Sequence, residues 1–311
     1  MTTPQVAAVL VNYNAGPLLR DALQSIADEL SGHEWEAVVV DNASTDASDA
    51  AVLSFAPRVR LVRNERNVGF ARGVNQAIAQ TTAPLVLIMN PDCRLVAGAF
   101  ATLKIGLERR ELCAIVGPRI LDPDGSVQGS ARGDPDMLTG LFGRTTLIRR
   151  VLPGLPISRR NVASEYIVRD GKQHVIVDWL SGACMLARRE ALLAVHGFDE
   201  RYFLYWEDAD LCRRLRSAGY HVRYVPAALA VHRVGVSTKR VRSAAVRAFH
   251  DSAYLYYVTH VAPGGRQHRI ARRIRRKAKR MLARVILSTR CWVHLNFPMD
   301  RSPRSEAESS G

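Results

Sequence analysis

Four short apolar runs, each leading through a polar turn into a segment of helical period, constrain this chain more than any other feature. Val6–Val11 ends in Asn12-Tyr13-Asn14, Ala37–Val40 in Asp41-Asn42 and Leu85–Met89 in Asn90-Pro91-Asp92; Val59–Val62 is the fourth. Runs of this length with apolar residues in successive positions read as strands buried on both faces. Pro17–Leu30 reads as a helix, with Pro17 in its first turn and Leu19, Leu23, Ile26 and Leu30 along one side. Asp46–Phe55, Phe70–Gln80 and Ala97–Arg110 follow as helices. Repeated βα units predict an α/β fold, a mostly parallel central sheet flanked by helices. Such sheets bind ligands at the carboxyl ends of their strands, which draws attention to Asn12, Asn14, Asp41, Asn42, Asn90 and Asp92. Asn and Asp are also common in turns and caps, and that reading is adopted for Ser44, Thr45 and Asp46.

The second half changes character. Asp122-Pro123-Asp124-Gly125 is a turn, and residues 126–174 form an insertion rich in Gly, Pro and Arg, which a compact domain uses as a functional lid or leaves disordered. Val175–Leu180 and Cys184–Ala187 return as strands. Glu207–Ser217 reads as a helix stopped at Gly219, and Tyr220–Val225 and Leu229–His232 as short strands. The start of that helix is chemically rich: Tyr202, Phe203, Tyr205 and Trp206 lead into Glu207, Asp208 and Asp210. A carboxylate beside flat apolar rings suits proton abstraction from a sugar hydroxyl. With a second carboxylate, Asp92, on the leaving-group side, the layout is that of a metal-assisted group transfer. The same acids also fit simple helix capping, and Trp179 and Trp206 fit either sugar stacking or core packing.

The net charge of +15 calls for an anionic partner: a nucleotide diphosphate, an anionic lipid surface or nucleic acid. No nucleic-acid reading module is present, so nucleic acid is set aside. Five scattered cysteines without a Cys-x-x-Cys fit a reducing compartment. Neither a signal segment nor an apolar run of about 20 residues stands out. The expected location is therefore cytoplasmic and peripheral on the inner face of the plasma membrane. Contact with an anionic membrane surface falls to Arg266–Arg290, where Ile270, Ile274, Ala278, Met281, Leu282, Val285 and Ile286 recur at helical spacing among Arg and Lys. The expected organisation is a catalytic domain over 1–237, a basic helical segment over 238–295 and a disordered tail over 296–311.

Taken in order, the motifs carry a resemblance. They are Val9-Leu10-Val11-Asn12-Tyr13-Asn14, Val40-Asp41-Asn42-Ala43-Ser44-Thr45-Asp46, Asn67-Val68-Gly69-Phe70-Ala71-Arg72-Gly73-Val74-Asn75, Asn90-Pro91-Asp92, Trp179-Leu180-Ser181-Gly182-Ala183, Gly197-Phe198-Asp199-Glu200, Glu207-Asp208 and His232. The series resembles family 2 glycosyltransferases of the GT-A fold, among them bacterial rhamnosyltransferases that work on lipid-linked glycans. The resemblance implies inverting transfer of a sugar from a nucleotide-diphospho-sugar donor, with dTDP-rhamnose favoured, to a hydroxyl of a polyprenyl-linked glycan acceptor. It implies Mg²⁺ or Mn²⁺ held by Asp92 and His232. Asp208 is the general base it implies, with Glu207 beside it. Val11, Asn12, Asn14, Asp41, Asn67, Arg72 and Asn90 fall on the nucleotide-sugar side, and Trp179, Gly182 and Trp206 on the acceptor side. Asn90 stands where the family carries the first Asp of Asp-x-Asp, which removes one negative charge from the metal site. A sugar-nucleotide pyrophosphorylase would instead need a Gly-rich basic loop after the first strand, and Asn12-Tyr13-Asn14-Ala15-Gly16 does not supply it.

Overall fold

A computed structural model describes residues 3–134, 175–233, 242–262 and 270–296. The 135–174 part of the insertion and the tail from 297 lie outside the described residues. The strands are β1 (Val6–Asn12), β2 (Trp35–Asp41), β3 (Val59–Arg63), β4 (Leu85–Met89), β5 (Cys93–Leu95), β6 (Cys113–Leu121), β7 (Ala131–Arg132), β8 (Val175–Ile176), β9 (Trp179–Leu180), β10 (Cys184–Arg188) and β11 (His221–His232). The helices are α1 (Leu18–Glu29), α2 (Phe70–Ala79), α3 (Ala99–Glu108), α4 (Arg189–Ala194), α5 (Glu207–Ser217), α6 (Arg242–Tyr256) and α7 (Ile270–Asn296). Ser48–Phe55 is a 3₁₀ segment, and a π turn, Tyr257–Val261, closes α6.

The central sheet runs β3-β2-β1-β4-β10-β6-β11-β5, with β8 beside β11. Its first four strands are parallel, and the inner β1, β2 and β4 are apolar on both faces, as such a sheet requires. Along β1, Val9 and Val11 enter one core with α2 and α5, while Ala8 and Leu10 enter the other with α1 and α3. β4 divides in the same way: Val86 and Ile88 face one core, Leu87 and Met89 the other. β10 then runs antiparallel between β4 and β6, and β6 pairs parallel with β11, so this half is mixed.

Two features of this frame position the site. The β10–β4 pairing, Cys184 opposite Met89, sets the turn before β10 against the end of β4. The start of α2 is locked to the aromatic segment before α5: Phe70 N–H donates to the Phe203 carbonyl at 2.8 Å. A Cβ on Gly69 (φ +88°) would lie 2.5 Å from that carbonyl oxygen, so only glycine fits there.

Candidate active site

The polar ends of β4, β5, β6 and β11 meet. His232 closes β11 opposite Cys93, so its ring reaches Asp92, with Nε2 3.1 Å from Asp92 Oδ1 and 3.3 Å from Asn90 Nδ2. On the other side of the ring, Nδ1 lies 3.0 Å from Gln128 Oε1. The Gln128 amide is itself oriented, because its Nε2 donates to Asp122 Oδ1 (2.8 Å) and to the His232 carbonyl (2.7 Å). Oε1 therefore faces the ring and accepts a hydrogen bond from Nδ1–H. Nε2 is left pointing at a carboxylate oxygen, a contact that is repulsive unless a proton or a cation lies between them. A histidine that donates through one nitrogen while the other faces outward is the usual arrangement of a metal-binding imidazole. The donor set is one carboxylate, one imidazole and, on rotation of the Asn90 amide, one neutral oxygen. Oxygen and imidazole ligands suit Mn²⁺ or Mg²⁺. Among the described residues no group of three or more His, Cys, Asp or Glu forms a fuller cluster, as expected with Asn at position 90. Gln128 was invisible in the sequence, since its role appears only once β6 and β11 lie side by side.

The second carboxylate is tied to the same turn. Asn90 N–H donates to the Ala183 carbonyl (3.0 Å), and one residue earlier Gly182 N–H donates to Asp208 Oδ2 (3.0 Å). The Ser181-Gly182-Ala183 turn thus has the Asn90–Asp92 end of β4 on one side and Asp208 on the other. Asp208 Oδ1 also accepts its own neighbour's N–H, from Ala209 at 2.8 Å. These two N–H donors fix the orientation of the carboxylate at the first turn of α5. Asp208 is half-buried, and its two neighbouring acids are more enclosed. Asp210 is fully buried; its oxygens meet His260 Nε2 (2.6 Å) and Arg214 Nε (2.7 Å), which removes it as an alternative base.

Glu207 requires a correction. It is only 5 % exposed, so it does not face an acceptor. Burial, and after it the adjacent Asp208 charge, push its carboxyl well above the usual carboxylate range. The sign of the resulting pH dependence follows. Below the unfolded value of about 4.3 both states are protonated and nothing is lost. As pH rises past it the unfolded chain ionises while the folded one does not, so stability falls until the raised folded value is reached. Glu207→Gln should therefore gain in melting temperature relative to the wild type as pH goes from 4 to 7. A difference that stays flat in differential scanning calorimetry would mean Glu207 is ionised in the fold.

On the donor side, Asn12 and Asp41 pair side by side at the ends of β1 and β2. Asn12 is fully buried, and its Nδ2 donates to Asp41 Oδ1 (2.7 Å), Ser48 Oγ (2.7 Å) and Ser44 Oγ (3.1 Å). Asp41 also takes Ser44 Oγ on Oδ1 and Ser44 N–H on Oδ2. At 4 % exposed, the Asp41 carboxylate serves to order the turn around Ser44. Asn14, at φ +52°, accepts the Thr45 N–H, fastening the two turns together. Asn67 Oδ1 caps Gly69 N–H and receives Asn42 Nδ2. The Val11 side chain packs into α2 opposite Gly73, which leaves only its backbone to a ligand. Arg72 is on the exposed face of α2, 3.9 Å from Glu200.

The two tryptophans are corrected as sugar platforms. Trp179 is 7 % exposed, its indole N–H donates to the Gly133 carbonyl and Arg132 covers the ring at 5.1 Å. Trp206, at φ +72°, packs between Phe249 (5.8 Å) and Tyr256 (5.3 Å) of α6. It joins the catalytic domain to the C-terminal helices, helped by Ser252 Oγ donating to the Leu204 carbonyl. Positive φ at both Tyr205 and Trp206, a costly conformation for bulky residues, is held in place by that packing.

Comparison with known proteins bears on the family and the fold. Residues 7–152 match the model of glycosyl transferase family 2, and residues 159–297 that of glycosyl transferase family group 2. The N-acetylglucosaminyl-diphospho-decaprenol L-rhamnosyltransferase of Mycobacterium tuberculosis is 34% identical over 267 residues, covering 82% of this chain and 84% of the relative. Rhamnosyltransferase WbbL of Escherichia coli is 38% identical over 102 residues, 33% of this chain and 37% of that protein. Among solved structures, mannosyltransferase PcManGT from Pyrobaculum calidifontis, in complex with GDP-Man and Mn²⁺, superposes with a TM-score of 0.56. It is 18% identical, and the match covers 96% of this chain and 77% of that one. At that identity the likeness bears on the GT-A fold alone. The order of motifs, the fold and a relative matched along most of both lengths agree: this chain belongs to glycosyl transferase family 2.

Proposed function

We propose that this enzyme transfers rhamnose from dTDP-rhamnose to a hydroxyl of a polyprenyl-diphospho-GlcNAc acceptor in cell-envelope glycan synthesis, with inversion at the anomeric carbon. The observation that carries the reading is the Ser181–Ala183 turn, which has the Asn90–Asp92–His232 cluster on one flank and Asp208 on the other. One flank serves the leaving diphosphate, the other the incoming hydroxyl. The likeness to the mycobacterial rhamnosyltransferase supports the choice of sugar and acceptor.

Asp92 and His232, with the Asn90 amide oxygen, would hold Mn²⁺ or Mg²⁺, which when bound neutralises charge building on the leaving diphosphate. Gln128 keeps the His232 ring turned with Nε2 outward. Asp208 accepts the acceptor hydroxyl's proton as the oxygen attacks the anomeric carbon and the bond to the diphosphate breaks. A single base opposite the leaving group gives one displacement and hence inversion. Asn12, Asn14, Asp41 and Asn67 build the turns that receive the nucleoside, and Gly182 fixes Asp208 rather than touching the sugar.

The acceptor's lipid agrees with the C-terminal helices. Among the described residues no helix is long and apolar enough to cross a membrane. On α7, Ala283 and Leu287 pack against Ala253 of α6 and Tyr257 of the π turn that closes it. Met281 (73 % exposed), Leu282, Val285 and Trp292 lie outside that contact, in an arc of about 100° at 3.6 residues per turn. Lys277 and Arg284 flank the arc on one side and Lys279 on the other, the pattern of a helix lying in a membrane interface. The test is a donor panel with Mn²⁺: dTDP-rhamnose should raise the melting temperature more than UDP- or GDP-sugars and support transfer to prenyl-diphospho-GlcNAc. Transfer from a UDP-sugar alone would overturn the donor assignment.

A further inference from the structure

Between α6 and α7 lies a cavity of about 300 Å³ that the catalytic site does not use. Arg247, Arg284, His250 and Asp251 are its charged and imidazole lining, Ser288 and Cys291 add small polar groups, and Leu287, Leu295 and Trp292 are apolar, with Tyr254 beneath the Arg284 guanidinium at 4.9 Å. We infer that this cavity binds the diphosphate and first isoprene units of the prenyl-diphosphate acceptor, a deepening of the function proposed above, on which it rests.

Three observations point to that ligand. First, among the described residues two guanidiniums share the cavity with a single carboxylate, Asp251, so the lining favours an anion. Guanidinium geometry matches phosphate oxygens. Second, the cavity opens onto the exposed apolar arc of α7. Trp292 belongs to both: it lines the cavity and is 58 % exposed on the same face of α7 as Met281 and Val285, two to three turns further along. A chain leaving the cavity would run along that arc toward the bilayer. The volume suits one narrow chain better than the paired chains of a glycerophospholipid. Third, α6 connects the cavity to the chemistry. Arg247, His250, Asp251 and Tyr254 line the cavity, while Phe249, Ser252 and Tyr256 of the same helix hold Tyr205, Trp206 and Leu204 just ahead of Asp208. At 100° per residue the two sets lie on opposite faces of α6, so the helix itself is the link between the cavity and the segment ahead of Asp208.

The test uses the full chain and a benzophenone-bearing farnesyl diphosphate. Photolabel should map to peptides containing 247–254 and 284–295, and farnesyl diphosphate should compete for it whereas excess phosphatidylglycerol vesicles should not. Label confined to peptides containing 90–92 or 206–208, or label removed by the vesicles, would overturn the inference. A second arm measures transfer. Arg247→Gln and Arg284→Gln should each raise KM for farnesyl-diphospho-GlcNAc by about tenfold or more, the effect of losing a charge-assisted hydrogen bond. Both should leave kcat, and transfer to a methyl glycoside of GlcNAc, unchanged. Lys279→Gln, on the opposite flank of the arc, should not change KM. Equal KM values in all three variants would also overturn it. If the wild type transfers to neither acceptor, the proposed function falls, while the photolabel still decides the cavity's ligand.

Discussion

Asp208→Asn should lower turnover by about 10²–10⁴-fold, the contribution of a positioned general base, with little change in donor binding. The substitution keeps shape and removes charge. Asp208 is held by N–H groups on both oxygens, from Gly182 and Ala209, and an amide can satisfy only one of them. Some loss of stability is therefore expected, and the comparison must be made well below the unfolding transition. Donor binding is separate, because the residues placed on the nucleotide lie on β1, β2, the start of α2 and the end of β4. The expected pattern is a fall in kcat with a donor-induced thermal shift close to that of the wild type. Glu207→Gln, one residue away but buried, should fall far less. Near-normal turnover in Asp208→Asn would remove the base assignment, and an equal loss in Glu207→Gln would show that the local structure of α5, and not proton transfer, was being measured.

What could be read from the sequence follows from how local each signal is. β4 and α5 fall on Leu85–Met89 and Glu207–Ser217 as expected, because an apolar run bounded by Pro84 and Asn90, and a helix bounded by Trp206 and Gly219, carry their own limits. β6 was not anticipated: Gly117 and Pro118 interrupt its apolar pattern, and the strand exists because β10 and β11 pair on either side of it. The site divides in the same way. Asn90, Asp92 and His232 carry their chemistry in their residue types, and the fold brings them together. Gln128 has no such signature, and its importance comes from Asp122 and the His232 carbonyl fixing its amide. The tryptophans show the opposite failure. An indole announces a flat apolar surface but not what covers it; Arg132 and Gly133 take Trp179, and α6 takes Trp206. On α7, apolar periodicity revealed an amphipathic helix but not which side packs inward. The small Ala283, absent from the expected apolar set, makes the close approach to α6 and so leaves Met281, Leu282 and Val285 outside.

Asp92→Asn should have the other large effect, seen first in metal binding and then in rate. With Asn already at position 90, Asp92 is, among the described residues, the one carboxylate in contact with His232. Removing it leaves neutral ligands only, and hard divalent cations prefer anionic oxygen. Mn²⁺ binding, followed by electron paramagnetic resonance of the free ion in the presence of dTDP, should weaken below detection at millimolar metal. Charge stabilisation by such an ion is worth several kcal/mol and each 1.4 kcal/mol is tenfold, so turnover should fall by roughly three orders of magnitude. The reverse change, Asn90→Asp, restores the charge missing from the Asp-x-Asp pattern and should tighten Mn²⁺ binding. The two variants shift the site's charge in opposite directions within one loop, so a purely structural disturbance would not move metal affinity in opposite senses. If Asp92→Asn binds Mn²⁺ as tightly as the wild type, or if EDTA leaves wild-type transfer intact, the leaving diphosphate must be stabilised by side chains alone. The exposed Arg72 on α2 would then be the first cation to substitute.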